Sequence, residues 1–339
     1  MKTLSPLQRD DLLCLVLALG LIAIPLLGPS NYLLGQITLF VLWAAVVTQW
    51  NLVFGVAGIL SIGHLALFAA GGYATALLGV YFDLSLWLTL PVAALAGLAI
   101  SLFMGLTTLR LRGAYVVVMT LAIAMTLYQI IVTDVACFRQ SQTVCYSFSG
   151  GARGLSRYGD FGFRELLGYK WIAIGNFYVA VAALVLGTLV AIAIIHSPYG
   201  KAFQAMRDNE VAASARGIEV HKYQLIVFAV AGLFTGLTGG VYAGVIGTFG
   251  PQVLELPTLL FLLSMMVVGG PGTVWGPILG TAALAFVDEG FRDLAEWRNT
   301  GYAVILIIMM LALPDGIVGG MKRLAKSIPL GNVRAGGEQ

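Results

Sequence analysis

The sequence predicts an all-α fold, a polytopic bundle of about ten transmembrane helices, some of them discontinuous. Hydrophobic residues make up 59% of the chain and charged residues only 10%, a balance typical of integral membrane proteins. The apolar runs are long enough for helices of about 20 residues, the length that crosses a bilayer core. They are also continuous, whereas a membrane β-barrel would show short stretches of alternating hydrophobicity.

Ten apolar segments reach or approach the length of a membrane span. In chain order they are 12–28, 33–54, 57–80, 85–107, 114–134, 172–195, 223–248, 256–271, 276–290 and 300–314. Asp10 and Asp11 precede the first segment and Gly28-Pro29-Ser30 is a poor cleavage site, so we expect a retained helix rather than a signal peptide. Because the segments cover most of the chain, residues 1–339 are predicted to form a single membrane domain.

Two hydrophilic segments separate these spans, residues 135–171 and residues 196–222. Within segment 196–222, Lys201–Arg216 is predicted to be one amphipathic helix that Gly217 ends, with apolar residues spaced for one face. Those apolar residues are Ala202, Phe203, Met206, Ala212 and Ala213. A capped helix between two spans favours a docking element for a partner in the water phase, although most such segments are ordinary loops.

The distribution of Lys and Arg predicts the orientation in the membrane. With the N-terminus in the cytoplasm, twelve of these residues face the cytoplasm and seven face the opposite side. Both termini and segment 196–222 are then cytoplasmic, and segment 135–171 is external. The external segment carries five cations against two carboxylates, an excess that can steer an acidic partner surface. Outside the membrane there is no long basic run with interleaved aromatic residues, so we expect no nucleic-acid partner.

The sequence also argues against several chemistries. It has no G-x-x-x-x-G-K-[ST] loop for ATP, no H-E-x-x-H motif and only three histidines, so we expect no metal site, no cofactor and no enzymatic activity. The spans are almost empty of ionisable residues, which argues against a proton-coupled carrier. Transport would then be passive or driven by a partner, and the predicted docking element favours a partner-driven transporter.

Motifs of one known family run along nearly the whole chain, in the family's order. The run Arg207–Ile218, RDNEVAASARGI, resembles the coupling motif of ABC importer permeases, in the form that branched-chain amino acid permeases show. Val211 stands directly before the Ala pair, where the generic importer pattern has Glu, and Glu210 comes one residue earlier. Further matches are NLVFG (51–55), LSIGH (60–64), GGY (71–73), LRLRGAY (109–115), GGARGL (150–155) and GGPGTVWGP (269–277).

This resemblance to the branched-chain amino acid ABC transporter permease family implies a subunit of an ATP-driven importer in a bacterial inner membrane. Its implied partners are a second homologous permease, two cytoplasmic ATP-binding subunits, an extracytoplasmic solute-binding protein and the lipid bilayer. The implied cargo is a branched-chain or similar aliphatic amino acid. Urea or a short amide is the alternative cargo, and an ATP-independent carrier or channel is the alternative of another class. The residues assigned to coupling with the ATPase are Arg207, Asp208, Glu210, Ala212, Ala213 and Gly217.

Two glycine-rich stretches, Gly55–Tyr73 and Val267–Gly280, are predicted to interrupt helices, one in each half of the chain. In transporters, paired interruptions point to the substrate route, because irregular backbone at membrane depth survives only where protein or water satisfies it. The alternative is that both stretches are tight turns packed against neighbouring helices. We place five residues near the route, with His64 as the foremost polar contact: Ser61, His64, Tyr73, Thr273 and Trp275.

Two of the three cysteines, Cys137 and Cys145, fall in segment 135–171 with seven residues between them. That length of chain lets two thiols approach closely enough for a disulfide in an oxidising compartment. We predict a disulfide between them, with two reduced thiols as the alternative. Cys14 lies in the first apolar segment, where we expect it to be buried.

Overall fold

α-Helices dominate the computed structural model, which describes residues 5–111, 113–141, 144–163, 165, 168, 171–290, 307 and 316–327. Within these residues the helices are α1 (Pro6–Ala23), α2 (Asn31–Asn51), α3 (His64–Phe82), α4 (Leu86–Thr108), α5 (Ala114–Val132), α6 (Ile172–His196), α7 (Pro198–Asp208), α8 (Glu210–Ala215), α9 (Val220–Ile246), α10 (Leu256–Gly269), α11 (Gly276–Gly290) and α12 (Gly316–Ser327). A 3₁₀ turn, Ile24–Leu27, continues α1, and a π-helical turn, Leu52–Val56, continues α2.

Seven of the described helices are long and apolar enough to cross a membrane: α1 and α2 with their extensions, α3, α4, α5, α6 and α9. Helix α10 is apolar but has only 14 residues, and α11 has 15. The predicted span 300–314 lies outside the described residues except for residue 307. The nearly all-α membrane bundle is therefore confirmed, whereas the count of ten spans is not.

Short polar residues fix where several of these helices begin. Ser5 Oγ accepts the Gln8 N–H (3.3 Å) ahead of α1, and the Gln8 side chain accepts the Ser5 N–H in return. Ser30 Oγ caps α2 in the same way, by accepting the Leu33 N–H at 3.3 Å. These bonds satisfy N–H groups that have no partner within the helix, so each apolar run starts at a defined residue.

Helix α9 lies at the centre of the bundle, where it packs on α3 and α4. Small residues permit the close approach: a Cβ on Gly236 would lie 2.5 Å from Ala93 O and 2.8 Å from Gly97 Cα of α4. Membrane helices associate through such tight contacts because lipid supplies no hydrophobic drive for helix pairing. A second contact joins α2 to α6. Rings from α2, α3, α9 and the segment after α9 pack together near this centre: Trp43, Phe68, Tyr242 and Phe249.

Segment 135–171 adds short strands to the otherwise helical fold. Strands β1 (Arg139–Ser141) and β2 (Val144–Tyr146) form an antiparallel pair within it. Strand β3 (Leu155–Ser156) pairs with β4 (Thr248–Phe249), which directly follows α9. Tyr158 strengthens this attachment, since its hydroxyl donates to Ala243 O of α9 at 2.8 Å and burial raises its pKa, which keeps it protonated. The segment is thus fastened to the end of α9.

The prediction of a single helix over Lys201–Arg216 is wrong. Helix α7 ends at Asp208, and Asn209 adopts an extended conformation with φ −161° and ψ 103° before α8 begins. Asn209 Oδ1 accepts the Ala212 N–H at 3.0 Å, so the residue serves as the N-cap of α8. Asn competes well for backbone groups at such positions, and this explains a break where the apolar pattern continues.

Candidate coupling site and translocation route

The apolar face of segment 196–222 packs against this chain itself. Ala202, Phe203 and Met206 of α7 are buried, and the Phe203 ring meets Tyr223 of α9 edge-on at 6.2 Å. Ala213 of α8 is buried as well. The docking element that we expected here therefore does not present these four apolar side chains, because their own subunit already covers them.

The outward surface of the segment centres on Val211 of α8, which is 68% exposed. Ala212 and Asp208 are exposed beside it, whereas Glu210 is half-buried. Sequence reasoning did not include Val211 among the coupling residues. The signal was present, however, since Val211 takes the place where the generic importer pattern has Glu.

Gly217 ends α8 as the sequence predicts. Its φ of +85° is in the left-handed region, which glycine adopts at no steric cost. The N–H groups of Gly217 and Ile218 turn back to the carbonyls of Ser214 (3.0 Å) and Ala213 (3.1 Å). These bonds satisfy carbonyls at the end of the helix, so α8 is a compact element closed at both ends.

The Arg207 guanidinium reaches back to its own subunit, although the residue as a whole is exposed. Its Nη1 donates to Gly55 O, in the π-helical turn after α2, at 2.7 Å. Asn51 also reaches across at this end of α2: its Nδ2 donates to Thr273 O (2.8 Å), and its Oδ1 accepts the Gly272 N–H (2.7 Å). The last turn of α7, the end of α2 and the loop between α10 and α11 therefore meet at one place.

Both predicted helix interruptions are present. The first comprises the π-helical turn Leu52–Val56 and the non-helical residues 57–63 ahead of α3. The second is the non-helical loop 270–275 between α10 and α11. The bonds of Asn51 join the two interruptions, so they are in direct contact.

Ser61 and His64 lie together in the packed interior. His64 is 1% exposed, its Nε2 lies 2.8 Å from Thr235 Oγ1 of α9, and its ring stacks on Trp50 at 5.7 Å. Ser61 is buried and its carbonyl accepts a hydrogen bond from Trp50 Nε1 at 2.8 Å. Neither residue lines the cavity beside Tyr73, so a role of His64 in the route stays a prediction.

Tyr73 lines a cavity of about 500 Å³ between α3 and α5. Its walls are mainly apolar, and Asp134 and Ser149 stand at one side. The Ser149 N–H and hydroxyl each donate to Asp134 Oδ2 at 2.6 Å, and this holds the carboxylate in place. Sequence reasoning did not place Asp134 with Tyr73, because their presence in one cavity depends on how α5 packs on α3.

Thr273 and Trp275 lie at the end of the bundle that carries α7. Thr273 Oγ1 accepts the Gly276 N–H (3.0 Å) at the start of α11. Trp275 Nε1 donates to Asp10 Oδ1 (3.0 Å), and Asp10 Oδ2 lies 2.8 Å from His196 Nε2. The five route candidates therefore lie in three separate groups: Ser61 with His64, Tyr73 by itself, and Thr273 with Trp275. The hydrogen bonds that Asp10 makes with Trp275 and His196 were not predicted.

The structure describes two of the three cysteine side chains. Cys14 is buried and free, as expected, and Cys137 is disulfide-bonded. The backbone of Cys145 lies in β2, but its side chain is outside the described part of the chain. The pairing of Cys137 with Cys145 stays a prediction.

A comparison with known proteins shows which family this chain resembles. A family model described as "Branched-chain amino acid transport system / permease component" matches residues 32–313. The high-affinity branched-chain amino acid transport system permease proteins LivM of Escherichia coli (strain K12) and Salmonella typhimurium are each 27% identical to this chain, over 85% and 79% of it. The alignments cover 70% and 65% of those two relatives.

Another relative carries a different cargo in its name. The guanosine ABC transporter permease protein NupQ of Bacillus subtilis is 25% identical over 80% of this chain and 77% of its own length. No solved structure matches the chain. Since the family model spans well over half of these residues and the structure is a multi-span helical bundle, the chain belongs to the family of permease components of branched-chain amino acid transport systems.

Proposed function

We propose that this chain is a permease subunit of an ATP-driven importer that carries branched-chain or similar aliphatic amino acids across a bacterial inner membrane. The observation that carries the proposal is α8, a short capped helix that offers exposed Val211 to a partner. The LivM relatives, whose names specify branched-chain amino acid transport, support this cargo. Hydrolysis of ATP belongs to partner subunits in this proposal.

The proposed assembly contains a second homologous permease, two ATP-binding subunits and an extracytoplasmic solute-binding protein. Both termini and segment 196–222 are cytoplasmic in this arrangement, as the Lys and Arg bias favours. Segment 135–171 then faces the solute-binding protein. Its attachment to α9 through β3 and β4 fits that role, because a binding event there reaches a central helix directly.

For the ATPase contact, we assign Val211 as the apolar centre and Asp208, Glu210 and Ala212 as its surroundings. Exposed apolar side chains ringed by polar groups are typical of helices that dock in grooves. Ala213 and Gly217 have other roles: the Ala213 side chain is buried on the inner face of α8, and Gly217 ends the helix. Arg207 is left out of this contact, because its Nη1 donates to Gly55 O within the subunit.

For the route, we assign the cavity beside Tyr73 as an entry region. Its apolar walls suit an aliphatic side chain, and the nearby Asp134 carboxylate suits an ammonium group. Urea or a short amide carries no such charge, and this difference favours an amino acid as cargo. His64, Ser61, Thr273 and Trp275 remain proposed members of the route.

The test is uptake by the complete transporter. The chain is co-expressed with the second permease and the ATPases that are encoded by neighbouring genes. The complex is then purified and placed in proteoliposomes with the solute-binding protein. We expect the ATPases to co-purify, and labelled leucine to accumulate only with ATP and the binding protein. Labelled urea and labelled guanosine, added in parallel, serve as competing cargoes. Accumulation of one of them instead of leucine would reassign the cargo, and uptake without any ATPase would overturn the importer.

A further inference from the structure

Arg207 fastens α7 to the end of α2. The carbonyl that it caps, Gly55 O, belongs to the final π-helical turn, where carbonyls run out of partners along the helix. The stem of Arg207 crosses Gly58, whose φ is +73°, and a Cβ there would lie 2.7 Å from Arg207 Cγ. The charged donor and the bare glycine backbone therefore fit each other, and a larger residue at 58 would push the arginine away.

The same guanidinium lies against the second interruption. A Cβ added to Gly272 would clash with Arg207 Nη1, so the loop 270–275 touches the arginine directly. Asn51, which is 2% exposed, holds that loop with both ends of its amide. The amide thereby supplies one donor and one acceptor to the backbone of the loop, as a neighbouring β-strand would. The two interruptions consequently behave as one unit with Arg207 at its edge.

From this geometry we infer that Arg207 is a positioning residue that transmits movement of α7 and α8 to both helix interruptions. The inference rests on the proposed function, since it requires an ATPase that moves segment 196–222. The apolar face of α7 is buried, so α7 shifts together with its neighbours rather than alone. Networks of this kind carry coupling when the joined elements have alternative arrangements, and π-helical turns are common at such places.

The chemistry of arginine suits this position better than that of lysine. A guanidinium is planar, so Nη1 can bond Gly55 O while Nη1 and Cζ together lie against Gly272. A lysine ammonium would keep the charge but offers a single point of contact. Meanwhile Val211 and Asp208 remain outward and available for docking. Docking and transmission are therefore assigned to different side chains of the same segment.

The test follows the loop itself, so that it does not depend on the cargo. Val274→Cys places a half-buried thiol in loop 270–275, in a chain that also carries Cys14→Ser and is left unreduced. The transporter is assembled with cysteine-free partner subunits and labelled with a membrane-impermeant maleimide, with and without ATP and vanadate. We expect the nucleotide to change the labelling rate, and Arg207→Gln to reduce that change by about fivefold or more.

Lys222→Gln is the matched control, because it also removes one exposed cation near α7, at the start of α9, but Lys222 is not among the described residues that bond Gly55 or approach Gly272. Asn51→Ala should act like Arg207→Gln, and the double variant should be no worse than either, because both residues serve one junction. If Arg207→Gln does not accumulate in the membrane, Arg207→Lys takes its place and should also blunt the response.

Several results would overturn the inference. They are an unaltered nucleotide response in the Arg207 variants, no response in the parent protein, or loss of the ATPases from the Arg207→Gln complex alone, which would make Arg207 a docking residue. Failure of the ATPases to co-purify with the parent chain is a different result, because it rejects the proposed function itself.

Discussion

Val211 faces outward, whereas Phe203 and Met206 of the same segment face inward. A lone exposed valine on a soluble surface is common and has no special meaning. Here it sits on a six-residue helix that is capped at its start by Asn209 and ended by Gly217. That rigidity gives an apolar contact a defined position, which is what a docking site needs.

Replacement of Val211 by Glu should weaken ATPase binding by about tenfold, as removal of a central interface residue typically does. The reason is that a carboxylate would have to be desolvated in an apolar groove. Binding is measured by titrating purified ATPase onto the permease in nanodiscs. Val135→Glu is the control, because Val135 is 86% exposed in segment 135–171, far along the chain from α8. Equal affinity in the two variants would remove Val211 from the interface.

Asp10 ties three elements together through Trp275 and His196. Asp10→Ala leaves an indole N–H and an imidazole without their acceptor, and we expect this to lower the free energy of unfolding by about 1–3 kcal/mol. The measurement is the midpoint of thermal unfolding in detergent. Asp11→Ala removes an exposed neighbouring carboxylate and should leave the midpoint unchanged. A similar midpoint for both variants would show that the Asp10 bonds are not stabilising.

The sequence motif marks candidate coupling residues but does not indicate what surrounds them. That Arg207 bonds Gly55 could not be predicted, because the two residues are 152 positions apart and meet only after α7 has packed. Asp134 and Tyr73 come to line one cavity in the same indirect way. Local patterns identify residue types suited to a role, whereas their direction depends on neighbours that the pattern does not contain.

The division of segment 196–222 into α7 and α8 depends on Asn209. Without its cap the first N–H groups of α8 lose a partner, so Asn209→Ala should destabilise this short helix by about 1 kcal/mol. We expect proteolytic cleavage in the segment to become about fivefold faster, as that free energy implies. Asn209→Asp retains an acceptor and serves as the control. Equal cleavage of Asn209→Ala and the parent would mean that α8 is held by packing alone.

Helices were predictable where apolar runs were long, because a membrane span requires a minimum length and a continuous pattern. Strands β3 and β4 were not, because each has two residues and exists only through the pairing of Leu155 with Phe249 and of Ser156 with Thr248. The break at Asn209 lay between these cases. Its cap residue was visible in the sequence, but the apolar spacing on either side favoured one helix.

The molecule as a whole separates an open cavity near Tyr73 from a closed region around His64. Leu127→Cys, in the cavity wall, should therefore react with a membrane-impermeant thiol reagent at least about tenfold faster than His64→Cys. The rates are measured on purified protein with Cys14→Ser. Phe228→Cys, fully buried on α9, sets the background. If the His64 thiol reacts as fast as the Leu127 thiol, the packed region opens more readily than this structure shows and the route passes by His64.

The inward packing of α7 and the outward position of α8 have a consequence for how such transporters diversify. The residues that we assign to the ATPase contact, Asp208, Glu210, Val211 and Ala212, lie within or close before the six residues Glu210–Ala215, while the apolar face of α7 is covered by its own subunit. Exchange of those six residues between related permeases should therefore change which ATPase binds, without further substitutions in the membrane domain. A hybrid that binds the donor's ATPase and keeps its own cargo would show that partner choice evolves as a small cassette, independently of what is transported.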